Sequence, residues 1–321
     1  MQLEKPFDPP IRWFGGKRNI ASEVWLRLGE VECYIEPFFG SGAVFFSCPY
    51  RPKYAVLNDV DGFLCNFFRS TSWSPEETAR WADWPMLESD IHARAKYLLG
   101  QHESLVERLE SDPNFYDPRL AGWWYHCHMC NIAGWTNTFR RSKPRVIGGL
   151  PSYLRHQDGD IGQDEKGFRF DVPIYERFAM VAQRLRNAII LCGDFERVLC
   201  DCMPRCYDSI GVFLDPPYDD CVDCDQLYKL TDTSTAKRAY QWAIEHGDNP
   251  TMRIAVCGYE GGYEPFPDTW ECLPWTANGG FCNHNKNGRD KKNRFNRFRE
   301  RIWFSPHCIK VQQMDLFGRE G

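Results

Sequence analysis

The sequence predicts an α/β protein built on a doubly wound sheet, and three observations carry the reading. Apolar runs of strand length alternate with stretches of helical periodicity over most of the chain. One run, "IGVFL" from Ile210 to Leu214, stops abruptly in Asp215, Pro216, Pro217 and Tyr218, as a strand buried on both faces does at the edge of its sheet. Another run leads into a tight turn with Gly40 and Gly42 and then a helix, the pattern of a ligand-binding βα unit.

Taken in order, "CYIEPFFGSGAVFF" supplies a strand from Cys33 to Ile35, the glycine turn, and a helix beginning near Ala43. "KYAVLNDVDGFLCNFF" repeats the unit, with a strand to Leu57, acids at Asp59 and Asp61, and a helix onward. Beyond Ser70 the chain turns helical. In "SPEETARWADW", Ser74 and Glu77 are spaced for a capping box with Pro75 at the first helical position, and "ESDIHARAKYLLGQHESLVERLE" continues as helix. Trp123 to Gly167 reads as irregular, aromatic and basic. The α/β rhythm returns with helix "YERFAMVAQRLRNA", strands "IILCGDF" and "IGVFLDPPY", helix "TSTAKRAYQWAIEHG" and strand "MRIAVCGY". The chain thus divides into one α/β domain, residues 1–70 and 168–321, interrupted by an inserted helical and loop-rich module at 71–167.

A chain of 321 residues buries a substantial core. No apolar run approaches the ~20 residues of a membrane span, and the start "MQLEKPFDPP" lacks the basic and apolar regions of a signal peptide. A cytoplasmic protein, away from membranes and monomeric in solution, is expected. Fifteen cysteines, an odd and scattered set, predict reduced thiols rather than a disulfide framework. The net charge of −5 is not that of a general polyanion binder. Two local regions run against it: "TFRRSKPR", with Arg140, Arg141, Lys143 and Arg145, and "KNGRDKKNRFNRFRER", with eight basic residues including Arg294 and Arg297. A single charged run is usually a solvated face. Two in an acidic chain point to phosphate contact.

In doubly wound sheets ligands bind beyond the carboxyl ends of the strands. Gly40 and Gly42 permit a tight turn and close approach of a ligand to the backbone, and Asp59 lies seventeen positions past Gly42. That is near the ~20-residue offset at which an acid reaches ribose hydroxyls. Phe45 stands where the dinucleotide fingerprint has its third glycine, so the pattern favours a ribose-bearing ligand over a dinucleotide. At the other loop, Pro216 and Pro217 each fix φ and remove an N–H, giving a stiff turn that presents carbonyls beside Asp215 and the flat ring of Tyr218.

"RWFGGKRNIASEV", "YIEPFFGSGAVFF", "LNDVDGFLCNFF", "CGDFERVL" and "FLDPPY", in this order, resemble the motifs of the Dam-like (D12 class) adenine-N6 DNA methyltransferases. The resemblance implies a Rossmann-like methyltransferase sheet with an inserted target-recognition module, S-adenosylmethionine as cofactor, and the exocyclic amine of a flipped-out adenine in double-stranded DNA as acceptor. It places Trp13, Gly16, Lys17, Glu36, Pro37, Phe38, Gly40, Gly42, Asp59, Asp194, Phe195 and Asp215 at the cofactor. Asp59 would accept from the ribose diol, Lys17 would pair with a carboxylate, Phe38 or Phe195 would cover the adenine ring, and Asp194 would take its amine. Asp215, Pro216, Pro217 and Tyr218 form the catalytic motif, with the acid and the Pro216 carbonyl accepting the two N–H bonds of the target amine and Tyr218 stacking on the base. "CNIAGWTNTF" resembles the recognition hairpin, so Asn131, Arg140, Arg141 and Lys143 join Arg294 and Arg297 as expected DNA contacts.

Three other readings stand beside this one. Cytosine N4 and an RNA adenine offer the same amine chemistry, and a homologue could bind DNA without catalysis, although intact "DPPY" and "GGK" motifs speak for activity. The pairs Cys127/Cys130 and Cys221/Cys224 have zinc-ligand spacing, but they lie about ninety residues apart and in no compact finger pattern, so no metal is expected.

Overall fold

The computed structural model describes residues 5–11, 13, 16–85, 87–112, 114–130, 172–199, 206–217, 235–276 and 299–311. Its strands are β1 (Cys33–Glu36), β2 (Tyr54–Asp59), β3 (Ala188–Cys192), β4 (Ile210–Leu214), β5 (Met252–Tyr259), β6 (Glu271–Pro274) and β7 (Glu300–Phe304). They form one sheet in the order β3-β2-β1-β4-β5-β7-β6. The first five run parallel, and β7 runs antiparallel to both β5 and β6. The helices are α1 (Ala21–Leu28), α2 (Ala43–Phe46), α3 (Gly62–Trp73), α4 (Pro75–Ala82), α5 (Glu88–Leu99), α6 (His102–Ser111), α7 (Pro118–Cys130), α8 (Ile174–Arg184) and α9 (Thr235–His246).

Both sheet faces are covered, which is why the central strands read as continuous apolar runs. Tyr34, Phe213, Ala255 and Cys257 join one core with α1, α2, α3 and α8. Their neighbours Ile35, Val212, Leu214, Ile254 and Val256 face the other way, onto Ala239 and Ala243 of α9. Strand order reverses between β1 and β4, and Ile35 pairs with Val212 there. The loops after these two strands therefore open at the topological switch point, where such sheets hold their ligands.

Several expectations are corrected. The capping box at Ser74 does not form: this one residue closes α3 and opens α4, and its hydroxyl donates to the Tyr116 hydroxyl at 3.3 Å. Pro75 is nevertheless the first residue of α4. The long helix over 88–110 is two, broken at Gly100 and Gln101, since glycine is a poor helix former. The largest correction concerns Trp123 to Cys130, which are helical rather than irregular. Their aromatics are core: Trp124 and Tyr125 are fully buried, and a helix buried nearly all round shows no amphipathic stripe to read. Gly122 lets α7 pack closely on α4, because a Cβ there would lie 2.4 Å from that of Trp81.

Candidate active site

β1 and its following turn supply the first wall. Glu36 ends the strand almost fully buried and accepts a 2.9 Å hydrogen bond from the Tyr34 hydroxyl, two residues back on the same face. Burial pushes its carboxyl well above the ordinary value, the charges of Asp215 and Asp59 add to this, and the Tyr34 and Phe45 hydrogen bonds only partly offset it. Gly40 and Gly42 both take left-handed φ, 48° and 69°. A Cβ on Gly40 would come 2.9 Å from the Trp13 indole nitrogen, so Trp13 lies directly on the turn.

Gly42→Ala is expected to destabilise the fold by roughly 2–4 kcal/mol, from left-handed backbone in a residue with a Cβ plus overpacking. The added carbon would meet Phe39 at 2.6 Å and Phe46 at 2.8 Å. A urea-unfolding midpoint equal to wild type would show that the turn repacks at no cost.

β2 supplies the second wall. Asp59 is its last residue, two past the end expected from sequence. Its Oδ2 accepts from Gly40 N at 2.8 Å and its Oδ1 from Asp61 N at 3.0 Å. Burial, with the nearby Asp61, raises its carboxyl to about 6 against these backbone donors. Asp61 itself is the N-cap of α3, accepting from Phe63 N and Leu64 N. Asn58, not anticipated from sequence, ties the loops together: its Nδ2 donates to Pro37 O and Gly193 O, each at 3.0 Å.

The third wall carries two predicted rings. Phe38 and Phe195 pack with centroids 5.0 Å apart, and the Arg238 guanidinium lies 4.9 Å over Phe195. Asp194 caps the turn Phe195–Val198 through Glu196 N and pairs with Arg238 at 2.9 Å. A ring amine would have to share that carboxylate with Arg238.

Asp215 directly follows β4, and Lys17 from the N-terminal segment meets it at 2.8 Å. Lys17 is only 4 % exposed and Asp215 21 %. Burial alone would pull the ammonium down. Asp215, Cys257 and Glu300 outweigh that and hold its pKa above the usual lysine value. Trp275 lies under the ammonium, 5.7 Å from ring centroid to Nζ. Glu300 and Trp275 went unread because they stand at the ends of two short antiparallel strands flanking the basic stretch. The carboxylate that meets Lys17 is thus the motif acid itself.

The expected contacts Tyr218, Asn131, Arg140, Arg141, Lys143, Arg294 and Arg297 lie outside the described residues. Arg299, at the end of the second basic region, is described and donates to Glu260 O at 2.7 Å. Cys127 and Cys130 sit in α7 with their thiols on Ile91 O and His126. Among the described residues, no group of three or more His, Cys, Asp or Glu is placed to hold a metal, and no helix is long and apolar enough to cross a membrane.

Comparison with known proteins agrees with this geometry. Residues 13–91, which contain Trp13, Lys17, the glycine turn and Asp59, match the D12 class N6 adenine-specific DNA methyltransferase model. The chain carries a D12-class segment. It is 39 % identical over 211 residues to the DNA N-6-adenine-methyltransferase of Escherichia phage P1, covering 65 % of this chain and 24 % of that protein. It is 23 % identical over 210 residues to the DNA adenine methylase of Serratia marcescens, covering 65 % and 66 %. A type II methyltransferase of Methanocaldococcus jannaschii is 26 % identical over 230 residues, 67 % and 69 % of the two chains. The chain therefore spans a quarter of the phage relative and just under two thirds of the Serratia one. The D12-class segment ends inside α5, well before Asp215, so β4 and its acid join the site through the fold.

Proposed function

We propose that this protein is a site-specific DNA adenine-N6 methyltransferase that uses S-adenosylmethionine. The observation that carries the proposal is the meeting of Lys17 and Asp215 at the switch point, beside the turn of Gly40 and Asp59. Motifs from opposite halves of the chain are brought together where a cofactor and its acceptor must meet.

The residues present fit the cofactor. The left-handed turn at Gly40 lies against Asp59, an acid at the reach of a ribose diol. Phe38 and Phe195 offer an apolar face for an adenine ring. Two acids, Asp59 and Asp215, beside one buried ammonium, Lys17, suit a ligand that carries a cation and a single carboxylate. When bound, that cofactor supplies an electrophilic methyl group.

The chain's own part is to prepare the nucleophile. An adenine amine is poor because its lone pair is delocalised into the ring. Asp215 and the Pro216 carbonyl accept its two N–H bonds, which favours a pyramidal nitrogen and stabilises the positive charge that develops on it. Lys17 fixes the carboxylate from one side, and the two prolines stiffen the carbonyl beside it. Tyr218 stacks on the rotated base. Residues 71–167 form the target-recognition module, with Asn131, Arg140, Arg141 and Lys143 reading the duplex and Arg294 and Arg297 holding phosphates.

The test is transfer from methyl-labelled S-adenosylmethionine to unmethylated duplex DNA, with the nucleosides separated afterwards. N6-methyladenine as the labelled product supports the proposal. Label on cytosine N4, label only on RNA, or none would replace it with the corresponding alternative.

The raised pKa of Asp59 gives a further prediction. Its folded value of about 6 exceeds its reference value of 3.8. The group therefore contributes stability that is fully present below about pH 4 and lost as pH rises through 6. Binding a ribose diol favours the ionised acid, so cofactor affinity has the opposite slope. The dissociation constant is expected to rise as pH falls below about 6, and Asp59→Asn should weaken binding at pH 7.5 and flatten this dependence. Calorimetric titration at pH 7.5 and at about pH 5 checks it, and an unchanged slope in the variant would remove Asp59 from the cofactor.

A further inference from the structure

Trp13 is the outer member of a stack of three rings. Its indole lies over His128 with centroids 5.5 Å apart and planes at 16°, and His128 lies over Trp124 at 5.1 Å and 28°. Trp124 is fully buried and packs on Phe67 of α3, so the inner end of the stack is fixed in the core. The outer end rests on the Gly40 turn, whose N–H is held by Asp59. His128 is thus a middle layer, 9 % exposed, between α7 and the Gly40 turn.

We propose that His128 is a positioning residue that holds Trp13 on the Gly40 turn and couples α7 to the cofactor site. The inference rests on the methyltransferase reading above. α7 ends at Cys130, and the next residue, Asn131, opens the stretch assigned to base readout. A duplex engaged by that stretch acts on α7, and the stack transmits the change to Trp13. By linkage the coupling is reciprocal: a duplex that tightens cofactor binding is itself bound more tightly in its presence. Removing the middle ring leaves Trp13 without its inner partner and breaks the direct stack from α7 to Trp13.

The experiment is equilibrium dialysis of labelled S-adenosylhomocysteine with the full chain, with and without a plasmid-length unmethylated duplex. Wild type is expected to bind more tightly with duplex present. His128→Ala should raise the dissociation constant about three- to tenfold, the range of an aromatic pair expressed as an affinity ratio. It should also bring the ratio of constants without and with duplex close to one. His128→Phe, which keeps a stacking ring, should restore both. A folded His128→Ala variant with wild-type affinity and ratio would overturn the proposal, as would a wild-type ratio of one. Equal losses in the alanine and phenylalanine variants, tracking a fall in melting temperature, would overturn it in favour of a plain packing role. If wild type binds no S-adenosylhomocysteine at all, the methyltransferase reading falls first and this inference with it.

Discussion

Asp215→Asn is expected to lower methyl transfer by at least 10²–10³-fold, the scale on which removing one preorganised partner of a developing charge acts. The substitution keeps the shape of the side chain and one oxygen for Lys17, but replaces the second acceptor with a donor that opposes the amine. Asparagine is the more informative change because alanine would leave the Lys17 ammonium, 4 % exposed, without its carboxylate. A loss of activity in the alanine variant would then mix chemistry with damage to the fold. Single-turnover rates, read beside DNA affinity and the unfolding midpoint, separate the two. A rate within threefold of wild type in a folded, DNA-binding Asp215→Asn variant would end the proposed mechanism.

Lys17→Met should cost roughly 3 kcal/mol of stability, at the lower end for breaking a buried ion pair because Asp215 keeps some contact with water. The carboxylate left behind would stand near Glu36 and Glu300 with no cation opposite it. The double variant Lys17→Met, Asp215→Asn should recover part of that loss, since the uncompensated charge is gone. Denaturant titration of the four proteins of this cycle measures the coupling. Strict additivity would mean that the 2.8 Å contact carries no net interaction. Cofactor affinity should fall in every protein lacking Lys17, whichever residue stands at position 215.

Much of the sheet was legible because its strands are buried on both faces and short. Ile210–Leu214 and Met252–Tyr259 announced themselves as apolar runs, and the glycine turn after Cys33–Glu36 marked the first βα unit. β6 and β7 were not, since four- and five-residue strands with half-exposed, charged positions such as Glu271 and Arg301 carry little periodicity. α7 was misread for the opposite reason: Trp124, Tyr125 and Cys127 are all interior, so polarity gave no face to follow.

Lys17, Gly40, Asp59 and Asp215 stood out in the sequence one by one, but which of them meet could not be read there. Lys17 was expected against a carboxylate, and the fold supplies that of Asp215, almost two hundred residues away in the chain. Asp59 was expected to serve a ligand, and what the structure shows is that it organises the Gly40 turn. Tyr34 beneath Glu36 could have been found from the two-residue strand period alone. Asn58 and His128 could not, because what marks them is the position of loops and rings brought in by other elements.

The central claim is that the crevice between β1 and β4 methylates adenine in duplex DNA. Long-read sequencing of DNA from cells lacking adenine methylation, expressing either wild type or Asp215→Asn, tests it most directly because modified base and context are reported together. N6-methyladenine is expected at one recurring sequence with wild type and at background levels with the variant. Modification confined to cytosine, or equal N6-methyladenine from both proteins, would contradict it.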